Sequence, residues 1–244
     1  MKPTTLLLAA MATAPCASGC SRETPQPAVQ TTQTTSRPET QKLQTMAARF
    51  APVDLTADVG KLPENERQAL AKLVEASKVF DALFLRQVWE GNEAMLVDLA
   101  KDDSPLGRAR RHYFLINKGP WSRLDSNEVF IAGAPKKPEE ANFYPAGATK
   151  ADVEAWFKTL SGAERTRATG FFTTIRRGPD GKFIAVPYSL EYQGEIGLVA
   201  ELLREAAALT KQPTLKNYLE KRAASLLSND YYDSDVAWME LDAS

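Results

Sequence analysis

The residue types that most often bind metals or act as nucleophiles are few in this chain. Among its 244 residues there is one histidine, His112, and there are two cysteines, Cys16 and Cys20. Two zinc ligands on one helix must lie one turn apart, because only that spacing directs both at one ion. Four residues to either side of His112 stand Arg108 and Ile116, and neither can serve. We therefore interpret His112 as a boundary residue of a helix or one side of an anion-facing surface, and we predict no metal site.

Both cysteines belong to an N-terminal segment that predicts export. After Lys2 comes a short apolar run, TLLLAAMATA, which is too short to cross a bilayer and indicates a secretory signal. The four residues ASGC at 17–20 resemble a lipobox, in which Cys20 is acylated and becomes the new N-terminus. A plain cleaved signal peptide is the alternative. On the lipobox interpretation Cys16 is removed, so no cysteine remains for a disulfide.

Composition divides the rest of the chain into a tether and a folded body. Residues 21–42 are rich in Pro, Thr, Gln and Ser, so they bury little surface and predict a disordered linker. We predict that residues 43–244 form the folded part. Ser21 is not aspartate, which by bacterial sorting rules favours a lipoprotein on the periplasmic side of the outer membrane. The formal net charge is −1 with both signs interspersed, and this excludes a nucleic-acid footprint.

Helix signals dominate the folded body. A long amphipathic helix is predicted from Pro63 to about Gly91, with Leu70, Leu73, Val74, Phe80, Phe84 and Val88 as its apolar stripe. Further helices are predicted from Pro105 to Gly119, over 195–210 and over 214–228. Capping boxes are predicted at Thr149 with Asp152 and at Ser161 with Glu164. The Pro179-Asp180-Gly181 turn between β-rich runs predicts a hairpin. The fold class is therefore α+β and helix-dominant, with at least one β-hairpin.

Sequence motifs for common active sites are missing. There is no G-x-S-x-G elbow and no P-loop. The segment AELLREAAALT is similar to the Nudix signature helix, but Ala208 and Leu209 replace its paired glutamates, so the metal-binding logic is lost. Carboxylates are numerous, but paired-acid catalysis depends on a spatial separation that sequence does not give.

The segment NDYYDSDVAWMELD, residues 229–242, is the best candidate for a ligand surface. It combines acids with aromatic side chains, types that can hold a peptide N-terminus or stack on a ligand. Core aromatics on a short helix are the alternative. The candidate cleft residues are Asn229, Asp230, Tyr231, Tyr232 and Trp238.

Several long stretches together carry a family resemblance. HYFLINKGPWSRLD, ANFYPAGATKADVEAW, GFFTTIRRGPDGKFIAVPYSLEY and SNDYYDSDVAWMELD resemble the N-terminal portion of bacterial dipeptidyl peptidase III-like zinc metallopeptidases, some of which are called Nudix-associated hydrolases. The resemblance runs from about residue 50 to the end. It implies part of a two-lobed protein with a wide cleft, whose mainly helical lobe carries zinc.

The same resemblance implies a function, but this chain departs from the sequence pattern that the function requires. Enzymes of this kind remove dipeptides from peptide N-termini, with zinc held by two histidines of an H-E-x-x-(x)-H motif and a downstream glutamate. No such motif occurs in these residues, so no zinc ligand or catalytic residue carries over, and whether this chain is an enzyme is left open. We expect an N-terminal fragment, inert as given, of a zinc peptidase that acts on short peptides and whose missing C-terminal half supplies the metal site. The alternative is a stand-alone lipoprotein that uses the scaffold as a peptide-binding or interaction module.

Overall fold

A computed structural model describes residues 33–242. Within this range helices predominate and two short antiparallel hairpins lie between them. The signal segment, Cys20 and residues 21–32 of the predicted linker fall outside the described residues. No helix in residues 33–242 is long and apolar enough to span a bilayer.

Ten α-helices and four strands are described. In chain order they are α1 (Gln33–Ala47), α2 (Glu64–Val88), α3 (Asn92–Ala100), α4 (Pro105–Asn117), β1 (Trp121–Ser122), β2 (Glu128–Val129), α5 (Lys150–Thr159), α6 (Gly162–Ala168), β3 (Thr173–Arg177), β4 (Phe183–Pro187), α7 (Tyr188–Glu191), α8 (Gln193–Leu209), α9 (Pro213–Ser228) and α10 (Tyr232–Met239). A 3₁₀ turn, Val59–Lys61, precedes α2. The prediction of a helix-dominant α+β fold is confirmed.

Helix α1 begins inside the segment that the composition assigns to the linker. Residues 33–42 are therefore helical, and the disordered linker predicted for them is corrected here. The reason is tertiary contact with α4. Leu43 is buried, and the Arg110 guanidinium donates to Glu39 Oε1 at 3.1 Å from Nε. A polar helix of low intrinsic stability is held by such contacts rather than by its own propensity.

Helix ends follow the predicted chemistry at most positions. The Ser104 hydroxyl accepts from the Gly107 N–H at 3.0 Å and begins α4, and the Thr149 box closes in both directions. The box predicted at Ser161 does not form, because Gly162 has φ 51° and turns the backbone away, leaving the Ser161 side chain without a capping bond.

The main core lies where α2, α8 and α9 meet. Helix α8 buries the stripe predicted for it, with Val199 and Ala206 fully buried, and α9 buries Leu219 and Leu226. A second, smaller cluster joins α2 to α3 and α4 through Leu85, Leu99, Phe114 and Ile131. Helix α2 therefore links both clusters.

Helix α2 buries a different face from the one its large side chains predict. Its buried residues are Ala69, Ala76, Leu83 and Leu85, whereas much of the predicted stripe is exposed, namely Leu70, Val74, Phe80 and Phe84. The three residues Ala69, Ala76 and Leu83 recur every seven positions, which places them on one side of the helix. Small side chains let α2 lie close to α8, and that packing determines which face turns inward.

The predicted hairpin is confirmed, and a second one is present. Strands β3 and β4 pair antiparallel from Thr173 opposite Pro187 to Arg177 opposite Phe183. Strands β1 and β2 form a two-residue pair, Trp121 opposite Val129 and Ser122 opposite Glu128, that the sequence pattern does not reveal.

Candidate functional site

The five predicted cleft residues separate into three environments at the junction of α9 and α10. Asn229 ends α9 in the left-handed conformation with φ 64°, and its side-chain amide donates to the Phe172 carbonyl at 3.0 Å. Asp230 is exposed, and its Oδ1 accepts from the Tyr232 N–H at 3.2 Å. These two residues build the turn. The Asn229 side chain is bonded to the segment before β3 and the Asp230 side chain to the start of α10, so the two are not directed at a common point.

Tyr231 lines a cavity. The aromatic groove, as we call it, has a volume of about 470 Å³ and lies between α2 and the α7–α10 side of the molecule, lined by Phe80, Phe84, Tyr188, Tyr192, Leu226 and Tyr231. The Tyr231 ring packs against Phe172 with 4.3 Å between centroids and a 39° angle between the ring planes, and the Arg222 guanidinium lies 5.5 Å from the Tyr231 ring centre. A groove with aromatic walls and few polar groups suits apolar side chains.

Burial also governs the electrostatics of the groove. It raises the pKa of Tyr188 to about 12, and it is the main cause of the raised pKa values of Tyr192 and Tyr231. These hydroxyls therefore stay protonated at neutral pH and act as hydrogen-bond donors rather than bases. The groove can bind apolar groups, and its one carboxylate, Asp81, is paired with Lys118 at 3.2 Å.

Tyr232 and Trp238 lie on the outside of α10. Tyr232 is 75% exposed, Trp238 56% and Met239 76%, whereas the small residues Ser234 and Ala237 are buried against α9. Helix α10 thus repeats the arrangement of α2, with small residues inside and large apolar ones outside. Tyr232, Val236 and Met239 follow helical spacing and form an outward apolar face. Monomeric soluble proteins rarely leave such faces uncovered.

His112 lies on the surface of α4 and is exposed. In residues 33–242 no group of three or more His, Cys, Asp or Glu side chains lies close enough together to hold a metal ion. The residues described therefore do not fit a zinc ion, which requires about four ligands in its first shell. The AELLREAAALT segment lies in α8, where Ala206 and Ala207 are buried in the core and Glu205 pairs with Lys72 at 2.8 Å.

A polar network fixes the turn between β1 and β2. The Tyr113 hydroxyl and the Ser122 Oγ lie 2.6 Å apart, and the Arg49 guanidinium contacts both carboxylate oxygens of Asp125, with Nη1 2.9 Å from Oδ1. The hydrogen bonds from Arg49 and Ser122 lower the pKa of Asp125 to about 2. The network ties the segment after α1 to the β1–β2 turn through groups that sequence spacing does not connect.

Comparison with known proteins gives this fold a family context. No protein-family model matches the chain. A solved structure of dipeptidyl-peptidase III from Corallococcus sp. strain EGB is 64% identical and superposes with a TM-score of 0.81 over 84% of this chain and 38% of its own. The chain is dipeptidyl-peptidase III-like. The resemblance seen in the sequence is thereby confirmed.

Two further relatives match a similar share of this chain. Dipeptidyl-peptidase III from Caldithrix abyssi is 39% identical, with a TM-score of 0.77 over 82% of this chain and 38% of its own. A protein named Nudix hydrolase 3 from Arabidopsis thaliana is 34% identical over 82% of this chain and 32% of its own length. The chain thus spans about a third of the length of each of these relatives. It has a peptidase-like fold of the dipeptidyl-peptidase III kind.

Proposed function

We propose that this chain is the N-terminal part of a zinc-dependent dipeptidyl peptidase that releases dipeptides from peptide N-termini. The observation that carries the proposal is the 64% identity to dipeptidyl-peptidase III over 84% of this chain. Because none of the 244 residues supplies an H-E-x-x-(x)-H motif, we expect the chain alone to be inert and the zinc ligands to come from polypeptide that follows it.

The outward apolar faces of α2 and α10 support this proposal. Phe80 and Phe84 on α2, with Tyr232 and Met239 on α10, are large side chains on faces that the described residues leave exposed. A following half of the same protein would cover these faces and so supply the burial that they lack here. Short peptides are then the substrates of the whole protein and not of this chain by itself.

The experiment compares the 244-residue chain with a protein extended along the reading frame after codon 244. We expect the extended protein to bind one zinc ion and release dipeptides, and the shorter chain to do neither. The shorter chain should bind an apolar fluorescent dye that the extended protein excludes. Peptidase activity with one-to-one zinc in the 244-residue chain would overturn the proposal. A stop codon at that point, with a monomeric product that binds no dye, would favour the stand-alone binding module.

We also propose that Cys20 carries a lipid that anchors the protein on the periplasmic side of the outer membrane. The ASGC segment and the preceding apolar run support this. The Cys20→Ser variant should move from the membrane fraction to the soluble fraction after export. Cys16→Ser is the matched control, since it changes a neighbouring cysteine within the same segment and should leave the membrane association intact. Equal fractionation of both variants would argue against lipidation at Cys20.

A further inference from the structure

A small basic cavity lies between the C-terminal ends of α2 and α4 and the β1–β2 turn. Its volume is about 180 Å³, and its charged lining residues are Lys118, Arg123 and Lys137, with no carboxylate among them. Phe84 and Trp121 form apolar walls. We call this feature the basic cavity. Three cations around an apolar pocket form a site for an anion attached to an apolar group.

Buried neutral groups hold the backbone of the basic cavity in place. Asn117 is 6% exposed, and its Oδ1 accepts from the Arg123 N–H at 3.0 Å while its Nδ2 donates to the Tyr113 carbonyl at 2.8 Å. The Trp121 indole N–H donates to the Pro135 carbonyl at 2.8 Å, which anchors the chain close to Lys137. These bonds fix the backbone from which the exposed side chains of Arg123 and Lys137 extend.

Two lining residues adopt a backbone conformation that glycine would adopt more easily. Lys118 has φ 57° and Asn127 has φ 60°. Lys118 ends α4, a position where glycine is the common residue because it has no Cβ to clash. Non-glycine residues held in this region cost on the order of 1 kcal/mol, and they cluster at functional sites. Lysine therefore stands at a position where glycine would be more stable, and its side chain lines the basic cavity.

The charges of the basic cavity are only partly neutralised. Lys118 Nζ lies 3.2 Å from Asp81 Oδ1, at a carboxylate whose side chain is 72% exposed. Lys137 Nζ lies 3.5 Å from the neutral Asn127 Oδ1, and within residues 33–242 Arg123 makes no ion pair. A bound anion would relieve the repulsion among the three cations.

We propose that the basic cavity binds the C-terminal carboxylate of a peptide. The carboxylate follows from the cavity alone: one anionic group meets the cations while an apolar side chain lies against Phe84 and Trp121. The assignment to a peptide rests on the proposed function. It is supported by an adjoining cavity of about 790 Å³ that shares Asn127 and Lys137 and has room for the residues that precede the chain end. An acidic side chain within a peptide is the other source of the same chemistry.

The first test is a calorimetric titration of the 244-residue chain with four probes, at low salt and with circular dichroism to confirm the fold. The probes are N-acetyl-Ala-Phe as the free acid, its C-terminal amide, an amidated peptide with one internal Glu, and inorganic phosphate. We expect the free acid to bind at least about tenfold more tightly than the other three, a difference of about 1.4 kcal/mol. Equal binding of acid and amide would overturn the site. Equal binding of the internal Glu or of phosphate would overturn the assignment to a chain end.

Variants separate a ligand role from a structural one. Lys118→Gly should raise the thermal midpoint, because it relieves the left-handed backbone, and should weaken binding of the free acid by about tenfold. Asp81→Asn should tighten binding, since it removes the carboxylate that competes for Lys118. Lys182→Gln, on the β3–β4 turn, is the charge-matched control and should change neither the thermal midpoint nor the binding of the free acid. A Lys118→Gly protein that binds the acid like the native chain would refute the proposal.

The outcome is independent of the peptidase assignment. If the extended protein releases no dipeptides but the 244-residue chain still prefers the free acid, the proposed function fails and the basic cavity stands. If the extended protein is an active dipeptidyl peptidase and the acid shows no preference, this inference fails alone.

Discussion

The contact between α2 and α8 requires small side chains, and the substitution Ala76→Leu tests this. Ala76 is 3% exposed on α2 and faces α8, where Ala200 and Ala206 are fully buried. The added three carbons have no space to enter, so the helices must separate or neighbouring side chains must leave their preferred rotamers. Overpacking of this kind costs about 1–3 kcal/mol. For a folded body of roughly 200 residues, each kcal/mol lowers the thermal midpoint by about 2–4 °C.

The measurement is urea unfolding followed by far-ultraviolet circular dichroism at low micromolar concentration. Val74→Leu is the control on the same helix: Val74 is 45% exposed, so the change in unfolding free energy should stay within about 0.5 kcal/mol. An Ala76→Leu protein as stable as the native chain, with an unchanged urea dependence, would show that close packing does not select the buried face of α2. The exposure of Phe80 and Phe84 would then need another cause.

Three further predictions follow from single residues. Asp125→Asn should lower the free energy of unfolding at pH 7, and the difference from the native chain should disappear as the pH falls from about 4 to about 2, because the folded-state pKa of Asp125 is about 2 and lies below its ordinary value. Acid titrations of both proteins measure this difference, and a constant difference across that pH range would contradict the prediction. Ionisation of Tyr188, whose folded-state pKa is about 12, should contribute to alkaline unfolding, and Tyr188→Phe should shift that unfolding to higher pH. Identical alkaline midpoints for the two proteins would count against burial as the cause of the raised pKa. Met239→Gln should change the stability of the 244-residue chain by less than about 0.5 kcal/mol, since Met239 is 76% exposed. It should destabilise the extended protein by about 2 kcal/mol or more if the second half covers Met239, and an equal effect in both proteins would argue against that cover.

Most of the helical framework could be predicted from sequence because its signals are local. The Ser104 cap and the Thr149 box require only neighbours three residues away, and the Asp180-Gly181 turn forms a hairpin wherever β-rich runs flank it. The capping box predicted at Ser161 was wrong, because the backbone conformation of Gly162 does not allow it.

The buried face of α2 depended on non-local packing and was therefore missed. Large apolar residues such as Phe84 give the stronger periodic signal, but Ala69 and Ala76 decide the packing because they let another helix approach. Their seven-residue spacing with Leu83 was the available clue. The extension of α1 to Gln33 was missed for a related reason, since a polar sequence gives no sign of the α4 surface that holds it.

The candidate site could be predicted only in part. Tyr231 lies in the aromatic groove, but no local pattern distinguishes it from the exposed Tyr232 one residue later. The basic cavity joins Lys118, Arg123 and Lys137 through the buried Asn117 and Trp121. No motif spacing encodes that arrangement. The local feature that marks the basic cavity is Lys118, which stands before Gly119-Pro120 and takes the left-handed position at the end of α4 that glycine usually takes.

The early start of α1 has a consequence for the distance between the protein and a membrane. If Cys20 is the anchor point, the covalent chain from Cys20 to Gln33 reaches at most roughly 45 Å, whereas a tether running to residue 43 would reach roughly 80 Å. The packed body would then be confined to a thin layer above the lipid headgroups. Any ligand of the folded body would have to diffuse within that layer, so lengthening residues 21–32 would change access without altering any contact of the folded domain.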